Sequence, residues 1–244
     1  MILKKIIKVL LKILCVVFIL LGVVVYWQYD NISSVINGMK YSSEDLASQL
    51  DSNRNDLKAK VDEYTSKHIN DLSAEDEEKL LNGEITIEEI SEKYDLPLDV
   101  MTDDNSQNNT ETPSIEDQNA QSTSDDNKKA IDDAISTGVS RMYALKAKYV
   151  SKLGEIERSV HDEYTNLPKE KQNESSKKNI IMKSLNSVAE MEEKCDNEVA
   201  VTLSVLETEL KKLNGDTEIV DILKEAYENE KEIKKSYYLS LYNN

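Results

Sequence analysis

The groups of this 244-residue chain able to ligate a metal or move a proton are two histidines, two cysteines and 47 acidic side chains. His68 and His161 lie far apart, and neither has a ligand-type residue at i+4, so the spacing of a zinc site is missing. Adjacent carboxylates occur at Glu88-Glu89 and Glu192-Glu193, but among 47 acids adjacency carries no information. An acid/base pair also needs a cleft that drives its two pKa values apart, and the apolar positions here are helix seams of Leu and Ile. The serines stand in polar runs without a paired histidine, and six glycines form no phosphate-cradling loop. Cys15 sits in an apolar run and Cys195 on a distant helical stripe, so there is no disulfide framework. Cys195 reads as a small buried hydrophobe. The sequence therefore predicts a protein that is not an enzyme, with no catalytic residue, metal site or cofactor.

Charge narrows the partners. Thirty basic residues against 47 acids give a net charge of −17. Lys4, Lys5, Lys8 and Lys12 stand in the first twelve residues with no acid, which leaves −21 for the remainder. Such a surface repels nucleic acid and attracts cations or a basic partner patch.

The elements that would position any site begin with an apolar run, Ile13 to Trp27, ILCVVFILLGVVVYW. Extended back to Ile6 past Lys8 and Lys12, whose stems can snorkel, it approaches the ~20 residues needed to cross hydrocarbon. Tyr26, Trp27 and Tyr29 form an interfacial aromatic belt at its far end. A cleaved signal peptide needs small residues at its cleavage site, and VVVYWQYDN has none. The reading is a signal-anchor over residues 6–27 in the cell membrane, flanked by Lys4, Lys5, Lys8 and Lys12 on one side and by Tyr26 and Trp27 on the other. The lysine bias puts residues 1–5 in the cytoplasm and the chain from residue 28 onward outside it.

The expected fold class is all-α. Residues 28–101 form a membrane-proximal helical region. Ser42 or Ser43, with Asp45, starts a coiled-coil-like helix whose stripe is Leu46, Leu50, Leu57, Val61 and Tyr64. Arg54 and His68 fall on the same stripe, and Arg54 is expected to reach solvent from its edge. A stripe this narrow needs a second helix, in cis or from another copy as a homodimer. A short helical pair follows. Ser73 caps AEDEEKLLN, Gly83 stops it, Thr86 and Glu89 make a capping box before the next helix, and Pro97 ends that one. The phrase Leu80–Leu98, LLNGEITIEEISEKYDLPL, resembles short helix-turn-helix units and oligomerisation modules. The acidic surface excludes DNA reading, which leaves a packing module.

Residues 102–128 are polar, with almost no apolar side chain, and are expected to be a disordered linker between two regions. Asn108-Asn109-Thr110 inside it matches a glycosylation acceptor. Residues 129–244 then read as an elongated antiparallel three-helix bundle. Its first helix carries Ile131 to Tyr164 and breaks at Leu167-Pro168; its second carries Ile181 to Leu213, with Leu185, Val188 and Cys195 on the core stripe, and stops at Asn214-Gly215. The third begins at Asp216 or Thr217 and is shorter, so it should run out before the far end of the other two. Val160, Tyr164, Leu167, Ile180 and Ile181 at that tip would be covered by one helix only, which makes them the candidate partner-contact residues.

Two functions fit. One is a membrane-anchored extracytoplasmic helical scaffold or protein-interaction module, with the lipid bilayer and other envelope proteins as partners and no nucleic acid. The other is a sensory or accessory subunit of an envelope membrane complex, although a few cytoplasmic residues leave little room for a signalling output.

Overall fold

The computed structural model describes residues 41–67, 69–102 and 124–242. The expected anchor with its flanking Lys4, Lys5, Lys8, Lys12, Tyr26 and Trp27, most of the expected linker, and His68 lie outside the described residues. Among the described residues no helix is long and apolar enough to cross a membrane. All regular structure there is helical: α1 (Ser43–Tyr64), α2 (Ala74–Asn82), α3 (Ile87–Tyr94), α4 (Leu98–Met101), α5 (Ser124–Thr165), α6 (Glu174–Lys212) and α7 (Glu218–Tyr242), with a 3-10 turn at Lys169–Lys171. The protein is an all-α helical bundle.

The helix ends follow local chemistry. Ser42 Oγ accepts from the Asp45 amide at 3.1 Å, and the Asp45 carboxylate accepts from the Ser42 amide at 3.2 Å. Thr86 and Glu89 make the reciprocal capping box, at 3.2 and 2.8 Å. Gly83 ends α2 at φ 73° and Asn214 follows α6 at φ 52°, both in the left-handed region that stops a helix. Pro97 is not what ends α3. Asp95 turns the chain first, at φ 53°, and Pro97 instead precedes the short α4. At the α5–α6 turn, Gln172 Nε2 donates to the carbonyls of Thr165 and Leu167 at 3.1 and 2.8 Å, and Asn173 caps α6 through the Ser176 amide at 3.0 Å.

The described residues divide into two compact units. The first, within Val61–Asp221, is built on α5. α6 lies antiparallel to α5, as its cross-links show: Asn127 Nδ2 donates to the Leu213 carbonyl at 3.1 Å, Lys148 reaches Glu198 at 2.9 Å, and Lys183 reaches Glu163 at 3.3 Å. Ile135, Val139, Ala144, Leu206 and Leu210 are buried in this unit. The short helices α2, α3 and α4 pack on α5 and bury Leu72, Leu80, Ile90, Leu96 and Met101. Polar pins hold them there. Lys146 sits 3.5 Å from both Asp71 and Glu77, Arg158 donates to the Leu81 carbonyl at 2.6 Å, and Lys67 pairs with Asp133. Ser66 donates to Asp132 through its amide and hydroxyl at 2.8 and 2.6 Å, and these bonds hold the Asp132 carboxyl below its usual range.

The compact units of the described residues divide the chain differently from the expected boundaries. The short helical pair of the 28–101 region is not a separate domain from 129–244; its apolar stripes are too small to fold alone and are buried against α5. Residues 124–128, placed in the linker, form the first turns of α5, and Asp125 and Asp126 there suit a helix N-terminus. The third helix of the expected bundle is shared: 218–221 belong with α5 and α6, and 222–242 belong to the second unit.

The described part of that second unit is residues 41–60 with 222–242. Asn53 Nδ2 on α1 donates to the Ala226 carbonyl on α7 at 3.2 Å, while Leu46 is 1% and Ser236 0% exposed. The α1 stripe thus meets a helix of its own chain. Arg54 is half-buried beside Asp51, at 3.4 Å, rather than reaching solvent from the stripe edge.

Candidate partner-contact site

Along α5 the buried side chains stop at Gly154. Between residues 155 and 198 Ile180 is the single buried side chain among those described. Apart from the Arg158 bond to α2, this distal stretch of the α5–α6 hairpin is thus helix on helix among the described residues. Ile156, Val160, Tyr164, Leu167, Ile181 and Val188 are half-buried, and Leu185 is 52% exposed. A shallow cleft of about 230 Å³ runs between the two helices, lined among others by Ile156, Val160, Glu163, Ile180 and Lys183. The cleft has no buried charge, and its one ion pair, Glu163–Lys183, lies at the exposed rim.

Of the sequence-derived contact residues, Val160 and Ile180 line this cleft together. Ile180, at 7% exposed, is core of the hairpin rather than open surface; Tyr164, Leu167 and Ile181 are half-buried at its end. Leu185 was expected on the core stripe and instead faces out, and Cys195 is half-buried rather than enclosed. Both departures have one cause: a helix packed on one neighbour buries a narrower stripe than a helix in a three-helix core. In the second unit a larger groove of about 380 Å³ is lined by Leu46, Gln49, Asn53, Asn229, Glu232 and Ser236. Its walls are mostly polar residues, with Leu46 and Ile233 among them, from segments far apart in sequence, which no periodicity brings together.

Among the described residues no three His, Cys, Asp or Glu side chains are placed to hold a metal ion. His161 is exposed. The strongest perturbation is at Asp76, which is 5% exposed. Lys93 Nζ donates to its Oδ2 at 2.6 Å, the Tyr94 hydroxyl donates to the same oxygen, and Ser73 Oγ is 3.1 Å away. The Lys93 and Tyr94 bonds bring the carboxyl from 3.8 down to about 2. The network ties the N-terminus of α2 to the C-terminus of α3, which is a structural role. A carboxyl whose pKa falls on folding adds stability above its unfolded pKa, and that stability is lost as pH drops through the folded value. Asp76→Asn is thus expected to cost about 2 kcal/mol at pH 7 and well under about 1 kcal/mol near pH 2. Urea unfolding at the two pH values checks this, and an equal effect at both would refute it.

No protein-family model, curated protein or solved structure matches the chain.

Proposed function

We propose that this chain is a membrane-anchored scaffold without catalytic activity, which presents the distal α5–α6 hairpin to another envelope protein outside the cytoplasm. The observation that carries the reading is the thin layer from residue 155 to 198, where Ile156, Val160, Tyr164, Leu167, Ile181 and Val188 are only half-covered and Leu185 stands open. Apolar surface of this kind, rimmed by charged side chains, is typical of a contact site. Support for the anchor comes from the sequence: the uncharged run from Ile13 to Trp27, its aromatic end and the four lysines before it.

Each half of the proposal has its own test. Protease added to intact protoplasts is expected to digest everything beyond the anchor and to spare only a short N-terminal piece; full protection of a tag after Asn244 would overturn the topology. For the contact site, Val160→Ser with Ile181→Ser is expected to keep the helical circular dichroism spectrum and abolish crosslinking to a partner in intact cells. Both residues are already half-solvated, so the pair of changes should cost about 1–2 kcal/mol rather than the full burial energy. An unfolded variant would show the tip to be core, and unchanged crosslinks would show it to be idle surface.

A further inference from the structure

The end of the hairpin carries the opposite charge from the rest of the chain. From Leu167 to Lys183 there are five lysines, 169, 171, 177, 178 and 183, against Glu170 and Glu174, a net of +3 within a chain of −17. All five lysines are exposed. Lys183 pairs with Glu163, while the other four make no ion pair with a described side chain.

Their position argues against a role in stability. Lys177 closes the first turn of α6 and Lys178 opens the second. A helix N-terminus carries partial positive charge, so cations there are unfavourable and acids favourable. The lysines add to that field instead of offsetting it. Glu174, the first residue of α6, already supplies the acid that this field favours, so the positive tip arises from lysines further along whose side chains are all exposed.

We infer that this tip binds an acidic segment of another protein, one that also carries apolar side chains for the adjoining cleft. The inference rests on the contact site proposed above and specifies the chemistry of its partner. Charge complementarity between the tip and such a segment would steer encounter and fix orientation. The cleft beside the lysines is lined by Ile156, Val160 and Ile180, which take up apolar groups, and by Glu155 and Glu163, which confine a partner's acids to the lysine end and so disfavour a continuous polyanion. That combination fits a protein surface better than a phosphate polymer or a lipid headgroup layer.

Carbodiimide coupling decides the matter, because it joins an amine only to a carboxylate in contact with it. With the full chain in intact cells, peptide mapping is expected to find Lys177 or Lys178 amide-linked to an Asp or Glu of another protein. Lys177→Glu with Lys178→Glu should lower that product by about tenfold or more, as for reversal of interface charges. The same reversal at Lys211 and Lys212, at the other end of α6, should leave it unchanged. Acids in the first turns of α6 favour the helix, so the variant should melt no lower than the parent, and loss of product cannot be ascribed to unfolding. Links only to acids of this chain, or no product at all, overturn the inference, as does release from a wall or membrane fraction without any protein link. If Val160→Ser with Ile181→Ser abolishes capture while the lysine reversal does not, the apolar contact site stands and this inference alone falls. Capture unaffected by either pair removes both.

Discussion

Gly154→Ala is expected to destabilise the protein by about 2 kcal/mol, although the same change in an open helix interior gains about 1 kcal/mol. An ideal Cβ at Gly154 would lie 1.9 Å from the Leu81 carbonyl oxygen and 2.8 Å from its carbon. Both are backbone atoms, so no rotamer change relieves the overlap. α2 has to retreat from α5 instead. Leu81 belongs to the last turn of α2, whose carbonyls lack partners within the helix. Its oxygen is satisfied by Arg158, at 2.6 Å, and a retreat breaks that bond and opens the site around buried Leu80. Gly138 supplies the comparison. A Cβ there meets only the buried Leu206 side chain, with Cδ2 at 2.8 Å, Cδ1 at 3.1 Å and Cγ at 3.2 Å, which can shift by a few tenths of an ångström where a backbone carbonyl cannot. Gly138→Ala should therefore stay within about 1 kcal/mol of the parent, the clash offset by helix propensity. Urea unfolding measures both, and amide exchange should rise first across α2 to α4 in the Gly154 variant. A Gly154→Ala protein as stable as the parent would show that α2 is not seated on α5 as described.

What could be read from the sequence was local. Helix starts at Ser42, Ser73 and Thr86, and stops at Gly83 and Asn214, follow from one residue's own capping chemistry or backbone preference, and each lies where the pattern puts it. The hairpin break at Leu167-Pro168 has the same origin. The seating of α2 to α4 on α5 depends instead on single contacts across the chain, such as Arg158 with Leu81 and Ser66 with Asp132. Nothing in a period of three or four says which stripe covers which, so two regions were expected where one unit forms. A polar composition also hid the start of α5. Ser124 to Lys128 has no apolar face, yet Asn127 holds the end of α6 through the Leu213 carbonyl, and acids fill the first turn. At the candidate site the pattern located the tip but could not separate Ile180, which is buried, from Ile181 beside it, which is half-open. Neighbours on a helix point about 100° apart, and the boundary of a one-helix contact falls between them.

Glu198→Gln is expected to cost about 2 kcal/mol, and Lys148→Met added to it should restore the parent stability or exceed it. Lys148 lies inside the α5–α6 layer, its side chain 5% exposed, with both Glu198 oxygens 2.9 Å from Nζ. Removing one partner of a buried pair typically costs 3–5 kcal/mol, because the remaining charge is stranded away from water. Glu198 is 40% exposed, so water can approach the pair and the loss is reduced to about 2 kcal/mol. The Lys148 ammonium also lies 5.6 Å from the centre of the Tyr149 ring, which takes up part of its charge and lowers the cost further. Methionine matches the lysine stem in length without the charge, and its neighbours on α5, Ala147, Tyr149 and Val150, are buried. The double variant therefore exchanges a desolvated ion pair for apolar packing, an exchange that is neutral or stabilising by 1–4 kcal/mol in comparable cases. A urea-unfolding cycle over the parent, both single variants and the double measures the coupling directly. Glu198→Gln indistinguishable from the parent would mean that water already solvates the lysine, and that the pair adds nothing to the apolar packing of Val199, Leu203, Leu206 and Leu210.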